Sequence, residues 1–127
     1  MYEIINEGKV IIRIKKADKI SKEMDVFYNP VMKLNRDISV LLLNSIDAKN
    51  TQIALPLAGS GIRGIRFLKE LNKNKIKSIS FNDCSIKAVN SIKNNLKLNE
   101  IDKATIIKNS VTNLNNDKNY YDYKKIK

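Results

Sequence analysis

Three of the chain's four glycines, Gly59, Gly61 and Gly64, fall within six residues in the pattern G-x-G-x-x-G. Glycines at this spacing let a backbone turn tightly and approach a ligand, and the third lets a helix lie close to a strand. Asp83 stands 22 residues beyond Gly61, where an acid can accept both hydroxyls of a ribose. Read apart, the two features are a packing turn and a helix-capping Asp; in register they point to a bound nucleotide or nucleoside. Two ligand classes satisfy the pattern. A dinucleotide sets its pyrophosphate at the helix N-terminus. S-adenosylmethionine has no phosphate and needs its carboxylate and amine held, and a guanidinium matches a carboxylate bidentately. Arg36 and Arg63 are the candidates for that contact. The chain has only four arginines against 20 lysines, so an Arg that persists suggests a geometric requirement; the bland alternative is two surface arginines.

These residues need strands and helices to hold them. Residues 2–5 and 10–14 are short β-prone runs joined by Asn6-Glu7-Gly8-Lys9, which reads as a hairpin. A polar stretch, 15–25, leads into Phe27-Tyr28-Asn29-Pro30. From Asn35 the apolar residues Ile38, Leu41, Leu42 and Ile46 recur at helical spacing, with Asn35 or Asp37 as a possible cap. The run 52–57 is a buried strand that must end at Pro56. The glycine loop then opens a helix to about residue 72. A second strand over 78–81 ends at Asn82-Asp83, and Ser85 caps a helix whose apolar side holds Ile86, Val89, Ile92 and Leu96. A third strand covers 105–107, and the remainder is polar and basic. Strand, helix, strand, helix, strand from residue 52 is the order of a parallel α/β sheet.

Composition narrows the chemistry. With no His, imidazole bases and His-liganded metals are excluded, and one Cys (Cys84) excludes an internal disulfide and a cysteine zinc cluster. The first residues carry acid where a signal peptide carries positive charge, and no apolar run approaches a membrane span. The expectation is a soluble cytoplasmic protein with no membrane contact. Lys plus Arg outnumber Asp plus Glu by 24 to 13, a net charge of +11. That excess suits a polyanionic partner, nucleic acid first, although the Lys, Asn and Ile bias is also what AT-rich coding produces.

The blocks Phe27-Tyr28-Asn29-Pro30-Val31-Met32-Lys33-Leu34-Asn35-Arg36-Asp37, Gly61-Ile62-Arg63-Gly64-Ile65-Arg66-Phe67 and Asn82-Asp83 together resemble the archaeal and eukaryotic tRNA (guanine26-N2)-dimethyltransferases. The similarity runs from the hairpin to about residue 115. The resemblance implies a partial Rossmann-like, class I methyltransferase α/β fold with an N-terminal β-hairpin and helix. It divides the chain into a hairpin and helical extension, 1–50, and a truncated cofactor-binding half, 51–127. It implies S-adenosylmethionine as cofactor, tRNA as partner and methyl transfer to the exocyclic amine of a guanine. Carried over by position, Arg36, Gly59, Gly61, Arg63 and Asp83 bind the cofactor. Ser110 and Val111 fall where the family has Asp-Ala against the adenine, so the acid is lost there. Leu55 stands where the first strand of the family ends in Asp. Phe27 and Tyr28 form a wall over the cofactor or pack in the core.

The family continues into an Asp-Pro-Phe-Gly block, whose Asp handles the guanine amine and whose Phe stacks on the base. Here the corresponding strand reads Tyr121-Asp122-Tyr123-Lys124-Lys125-Ile126-Lys127, with Lys127 at the register of that Asp. No catalytic residue is therefore assigned, and a second polypeptide completing the sheet is expected if the chain is to act. Two readings stand: part of a tRNA guanine-N2 methyltransferase, or a non-catalytic module binding S-adenosylmethionine or RNA. A dinucleotide-dependent oxidoreductase is disfavoured by the asparagine-proline block.

Overall fold

The computed structural model describes residues 1–16 and 26–108. Strands β1 (Tyr2–Glu7) and β2 (Val10–Lys15) form the expected antiparallel hairpin, with Glu7 opposite Val10. Its inner face is apolar on β2, where Val10, Ile12 and Ile14 are buried. The 3₁₀ turn Pro30–Met32 precedes helix α1 (Lys33–Ser45). Neither Asn35 nor Asp37 caps α1: its N-cap position is Met32, with no side-chain hydrogen bond, and the side-chain cap belongs to the 3₁₀ turn before it. Asn29 Oδ1 accepts the Val31 N–H at 2.9 Å, and Pro30 needs no N–H partner at the first position.

Strands β3 (Thr51–Leu55), β4 (Ile76–Asp83) and β5 (Thr105–Lys108) make a parallel sheet in that order. They are joined through α2 (Ile62–Glu70) and α3 (Ile86–Leu98). Crossovers between parallel neighbours are right-handed, so a sheet wound in one direction carries both helices on one face. The residues agree with that. Ile53 pairs with Ile79 and Leu55 with Phe81 on the helix-covered side, and Gln52 with Ser78 and Ala54 with Ser80 on the other. The hairpin's apolar side and both helices share one core, built on Ile12, Ile65, Ile79, Phe81 and Ile92.

Two apolar stripes differ from the sequence reading. Helix α1 forms where the spacing predicts, yet Ile38, Leu41, Leu42 and Ile46 are exposed, Leu41 by 68%. Arg36 and Val40 are the residues it buries. On α3, Val89, Ile92 and Leu96 are buried as expected, but Ile86, in the first turn, is exposed. No helix among the described residues is long and apolar enough to cross a membrane.

Gly64 sits where α2 lies closest to the sheet. A Cβ there would press into the side chains of Leu55 and Phe81. Phe81 is fully buried and has no free direction in which to yield. Gly64→Ala should therefore cost about 1–3 kcal/mol through overpacking. Thermal unfolding of the two proteins checks this, and unchanged stability would show that α2 is free to lift from β3 and β4.

Candidate functional site

A cleft of about 490 Å³ opens at the C-terminal ends of β3 and β4. Its floor is the turn Pro56–Ser60 and the start of α2, and its wall is Phe27, Tyr28, Asn29 and Arg36 from the segment around α1. Ligands in open α/β sheets bind at this end of the strands. The floor is tied down at each step. The Ala58 N–H donates to the Asn82 carbonyl at 2.8 Å, and Asn82 Nδ2 donates to the Pro56 carbonyl at 2.9 Å. Asn95, inside α3, donates to the Ser60 carbonyl at 2.9 Å. Gly61 then adopts φ +83°, a conformation that side chains rarely tolerate, and a Cβ on it would meet Ile92 at 3.3 Å. Backbone and side-chain amide bonds thus hold both ends of the turn.

Asp83 closes β4 beside this turn. Its Oδ2 accepts the Gly59 N–H at 3.0 Å and its Oδ1 accepts the Ser85 N–H at 3.0 Å. The carboxylate therefore does two structural jobs: it holds the glycine turn and starts the turn that leads into α3. Each oxygen keeps a further lone pair for a ligand donor.

Arg36 lies in the cleft wall, 4% exposed. Its Nε and Nη2 donate to Glu7 Oε2 and Oε1 at 2.8 and 2.7 Å, and Nη2 also donates to the Asn29 carbonyl at 3.0 Å. Tyr28 Oη donates to Glu7 Oε1 at 3.2 Å, and the Arg36 guanidinium rests 5.2 Å from the Tyr28 ring centre. Burial raises the Tyr28 hydroxyl pKa above its ordinary value, and the Glu7 charge adds to that. Tyr28 is thus buried beside the cleft, whereas Phe27 is half exposed at its rim.

Arg63 has different surroundings. Its Nη1 donates to Ser39 Oγ and its Nη2 to Asn35 Oδ1, both at 2.6 Å. Neither acceptor is charged, and among the described residues no carboxylate pairs with it. Burial and then the neighbouring Arg36 charge hold its pKa below the ordinary value. The protein thus carries a half-buried cation at the edge of a cleft with no carboxylate in contact, the Glu7 charge acting on it only from a distance. Such a setting favours an anionic ligand.

The sequence reading brought Arg36, Gly59, Gly61, Arg63 and Asp83 together, and the structure places all five at this cleft or in its floor. Ser110, Val111 and Lys127 lie outside the described residues. Leu55 lines the cleft. Two residues were missed. Glu7 is 2% exposed and binds both Arg36 and Arg66. Arg66 in turn reaches Asp37 at 2.6 Å and Glu70 at 2.7 Å. The scarcity of Arg was the available signal, since Arg66 belongs to the same small set.

The βαβαβ core with a glycine turn below an acidic strand end defines a Rossmann-like α/β domain. Comparison with known proteins makes this specific. The family described as N2,N2-dimethylguanosine tRNA methyltransferase matches residues 8–126. The chain belongs to that family. A tRNA (guanine(26)-N(2))-dimethyltransferase of Methanococcus maripaludis is 44% identical over 108 residues, 82% of this chain and 29% of the relative. The Methanocaldococcus jannaschii protein of the same description is 40% identical, over 81% of this chain and 29% of its own length. Trm1 from Pyrococcus horikoshii, solved with S-adenosyl-L-methionine, superposes with a TM-score of 0.65 at 41% identity, over 76% of this chain and 24% of that one. Trm5b from Pyrococcus abyssi, at 16% identity and TM-score 0.66, shares the fold. The chain spans less than a third of the length of these relatives.

Burial alone would raise the Glu7 carboxyl pKa, but hydrogen bonds and charge from Arg36 and Arg66 outweigh it and hold it below its ordinary 4.5. Its stabilisation is therefore complete above about pH 4.5 and is lost as pH falls through the lower folded value. Glu7→Gln should cost about 3–5 kcal/mol near neutral pH, because it strands buried guanidinium charge. Urea unfolding of both proteins near neutrality and well below pH 4.5 checks the sign: the gap should shrink in acid. An equal gap at both would mean the charge of Glu7 is not what holds the wall.

Proposed function

We propose that this chain forms the cofactor half of a tRNA (guanine-N2)-methyltransferase site, with S-adenosylmethionine held in the cleft below the glycine turn. The observation that carries the reading is Arg63, a cleft-lining guanidinium held only by neutral acceptors. A phosphate-free ligand bearing a carboxylate supplies the missing charge. Asp83 accepts the ribose hydroxyls with its remaining lone pairs. Arg63 grips the carboxylate, aided by the remaining donors of Arg36. Phe27 and Tyr28 wall the site, and Gly59 and Gly61 let the backbone approach. Ser110 and Val111 take the adenine side by family position. Of the division at 1–50 and 51–127, the described residues of the first part supply the wall and those of the second the floor.

Bound there, S-adenosylmethionine supplies a methyl group on a positively charged sulfur. The acceptor, a guanine amine, has its lone pair delocalised into the ring, so transfer also needs a carboxylate to take the amine proton. The residues above bind and orient; none is placed to be that base. We assign the guanine-handling half to sequence outside this stretch, since the match covers only 29% of the relative's length. Two features support completion by further polypeptide. Among the described residues β3 has a strand neighbour on one side only, and α1 leaves Leu34, Ile38 and Leu41 exposed. The net charge of +11 suits a tRNA partner.

Calorimetric titration with S-adenosylmethionine tests the assignment. Asp83→Ala should weaken binding by about 1–3 kcal/mol, since a charge-assisted contact and the anchor of the glycine turn are both removed. Equal affinity in wild type and variant would sink it. The chain by itself should transfer no methyl group from labelled S-adenosylmethionine to unmodified tRNA, because loss of a positioned proton acceptor commonly costs about 10²–10⁴ in rate. Methyl transfer to guanine above a no-protein blank would overturn the division of the site.

A further inference from the structure

We propose that Asn35 and Ser39 are positioning residues that set the cleft's specificity: they aim Arg63 while leaving its charge unspent, reserving it for a ligand that carries a carboxylate. The proposal rests on the reading of the cleft as an S-adenosylmethionine site.

The arginines of this region differ in what meets them. Arg36 is met by both oxygens of Glu7, and Arg66 by Glu7, Asp37 and Glu70. Those guanidiniums are charge-compensated inside the protein. Arg63, on the same α2 as Arg66, is met by an amide oxygen and a hydroxyl. Asn35 and Ser39 lie four apart on α1, so their side chains fall on one face and grip the two Nη atoms together. Ser39 Oγ donates its own proton to the Asn35 carbonyl at 2.8 Å, which commits its lone pairs to Arg63. The guanidinium is thus oriented at both Nη atoms by short hydrogen bonds, and no contacting carboxylate cancels its charge. An acid is close at hand on the same helix: Asp37 is turned to Lys33 and Arg66 instead. Burial and the charge of Arg36 depress the Arg63 pKa in spite of the Glu7 charge, so an anion in the cleft would favour the charged guanidinium.

The consequence is discrimination between charge patterns. S-adenosylmethionine brings a carboxylate beside its amine and sulfonium. Its decarboxylated form keeps the adenosine, the sulfonium and the amine but offers only positive charge to the guanidinium. Neutral acceptors at 35 and 39 make that difference large, and an acid at either position makes it small.

Calorimetry with these two ligands, on wild type, Asn35→Asp and Asn35→Ala, reads the effect. Wild type should prefer S-adenosylmethionine, and Asn35→Asp should cut that preference about tenfold by supplying an internal counter-charge. Asn35→Ala, which frees the guanidinium without adding charge, should cut it less. Asn35 is exposed near the start of α1, where an acid suits the helix dipole, so the Asp variant should fold. Should it not, Ser39→Asp carries the same test from the other Nη. An unchanged preference in Asn35→Asp, an equal loss for both ligands, or a loss in Asn35→Ala as great as in Asn35→Asp would overturn the proposal. Wild type binding neither ligand would instead refute the cofactor reading itself, and the proposal with it.

Discussion

A single buried carboxylate organises the wall of the cleft. Glu7 ends β1 at 2% exposure, where an ionised group survives only if paired and hydrogen-bonded. It recruits Arg36 from α1, Arg66 from α2 and the Tyr28 hydroxyl. These partners are 21 to 59 residues away in the chain, so the contact cannot form until hairpin, α1 and α2 have met. Arg36 then fixes the Asn29 carbonyl, which belongs to the cleft wall. A buried ion pair of this kind is weak as net stabilisation, because desolvation offsets attraction. Its value lies in specificity of arrangement: few other packings satisfy one acid and two guanidiniums together.

Along the free edge of β2, amides do what charges do at Glu7. Asn99 accepts the Ile11 N–H and donates to the Ile11 carbonyl, pairing like a strand residue with the free edge of β2. Asn95 accepts the Arg13 N–H with its oxygen and donates to the Ser60 carbonyl with its nitrogen. One buried residue of α3 therefore links the hairpin edge to the glycine turn. Covering a strand edge removes a site for unwanted pairing. It also ties the Ser60 end of the cleft floor down through neutral bonds, while the Asp83 carboxylate holds the floor at Gly59.

Much of this was legible in the sequence. The hairpin, the βαβαβ order, the strand end at Pro56 and the Ser85 cap follow from local patterns, and the structure contains each. The glycine loop carried its meaning because a strand precedes it and a helix follows. What escaped was non-local. Nothing near Glu7 shows that it is buried, since a polar residue at a hairpin end is ordinarily solvated. The helical stripe of α1 was visible, but periodicity reports that a helix has an apolar face and not what covers it. The cap expected at Asn35 or Asp37 fails because Asn29 caps a 3₁₀ turn that runs straight into α1, and local propensity does not distinguish that turn from a loop.

The use of arginine ties these observations together. Lysine decorates the chain throughout, while each of the four arginines holds a definite geometry: Arg13 lies 4.5 Å over the Tyr2 ring, and Arg36, Arg63 and Arg66 are forked onto acceptors. A lysine could supply charge at any of these places but not a planar fork with donors in fixed directions. The three forked arginines form a graded series in compensation. Arg66 meets three carboxylates, Arg36 meets one, and Arg63 meets none. Positive charge is thus locked where α1, α2 and the hairpin join, shared at the cleft wall, and left open at the cleft itself. A composition that decorates any fold with cations would have no reason to produce that gradient; a site that must hold one anionic group in a fixed orientation does.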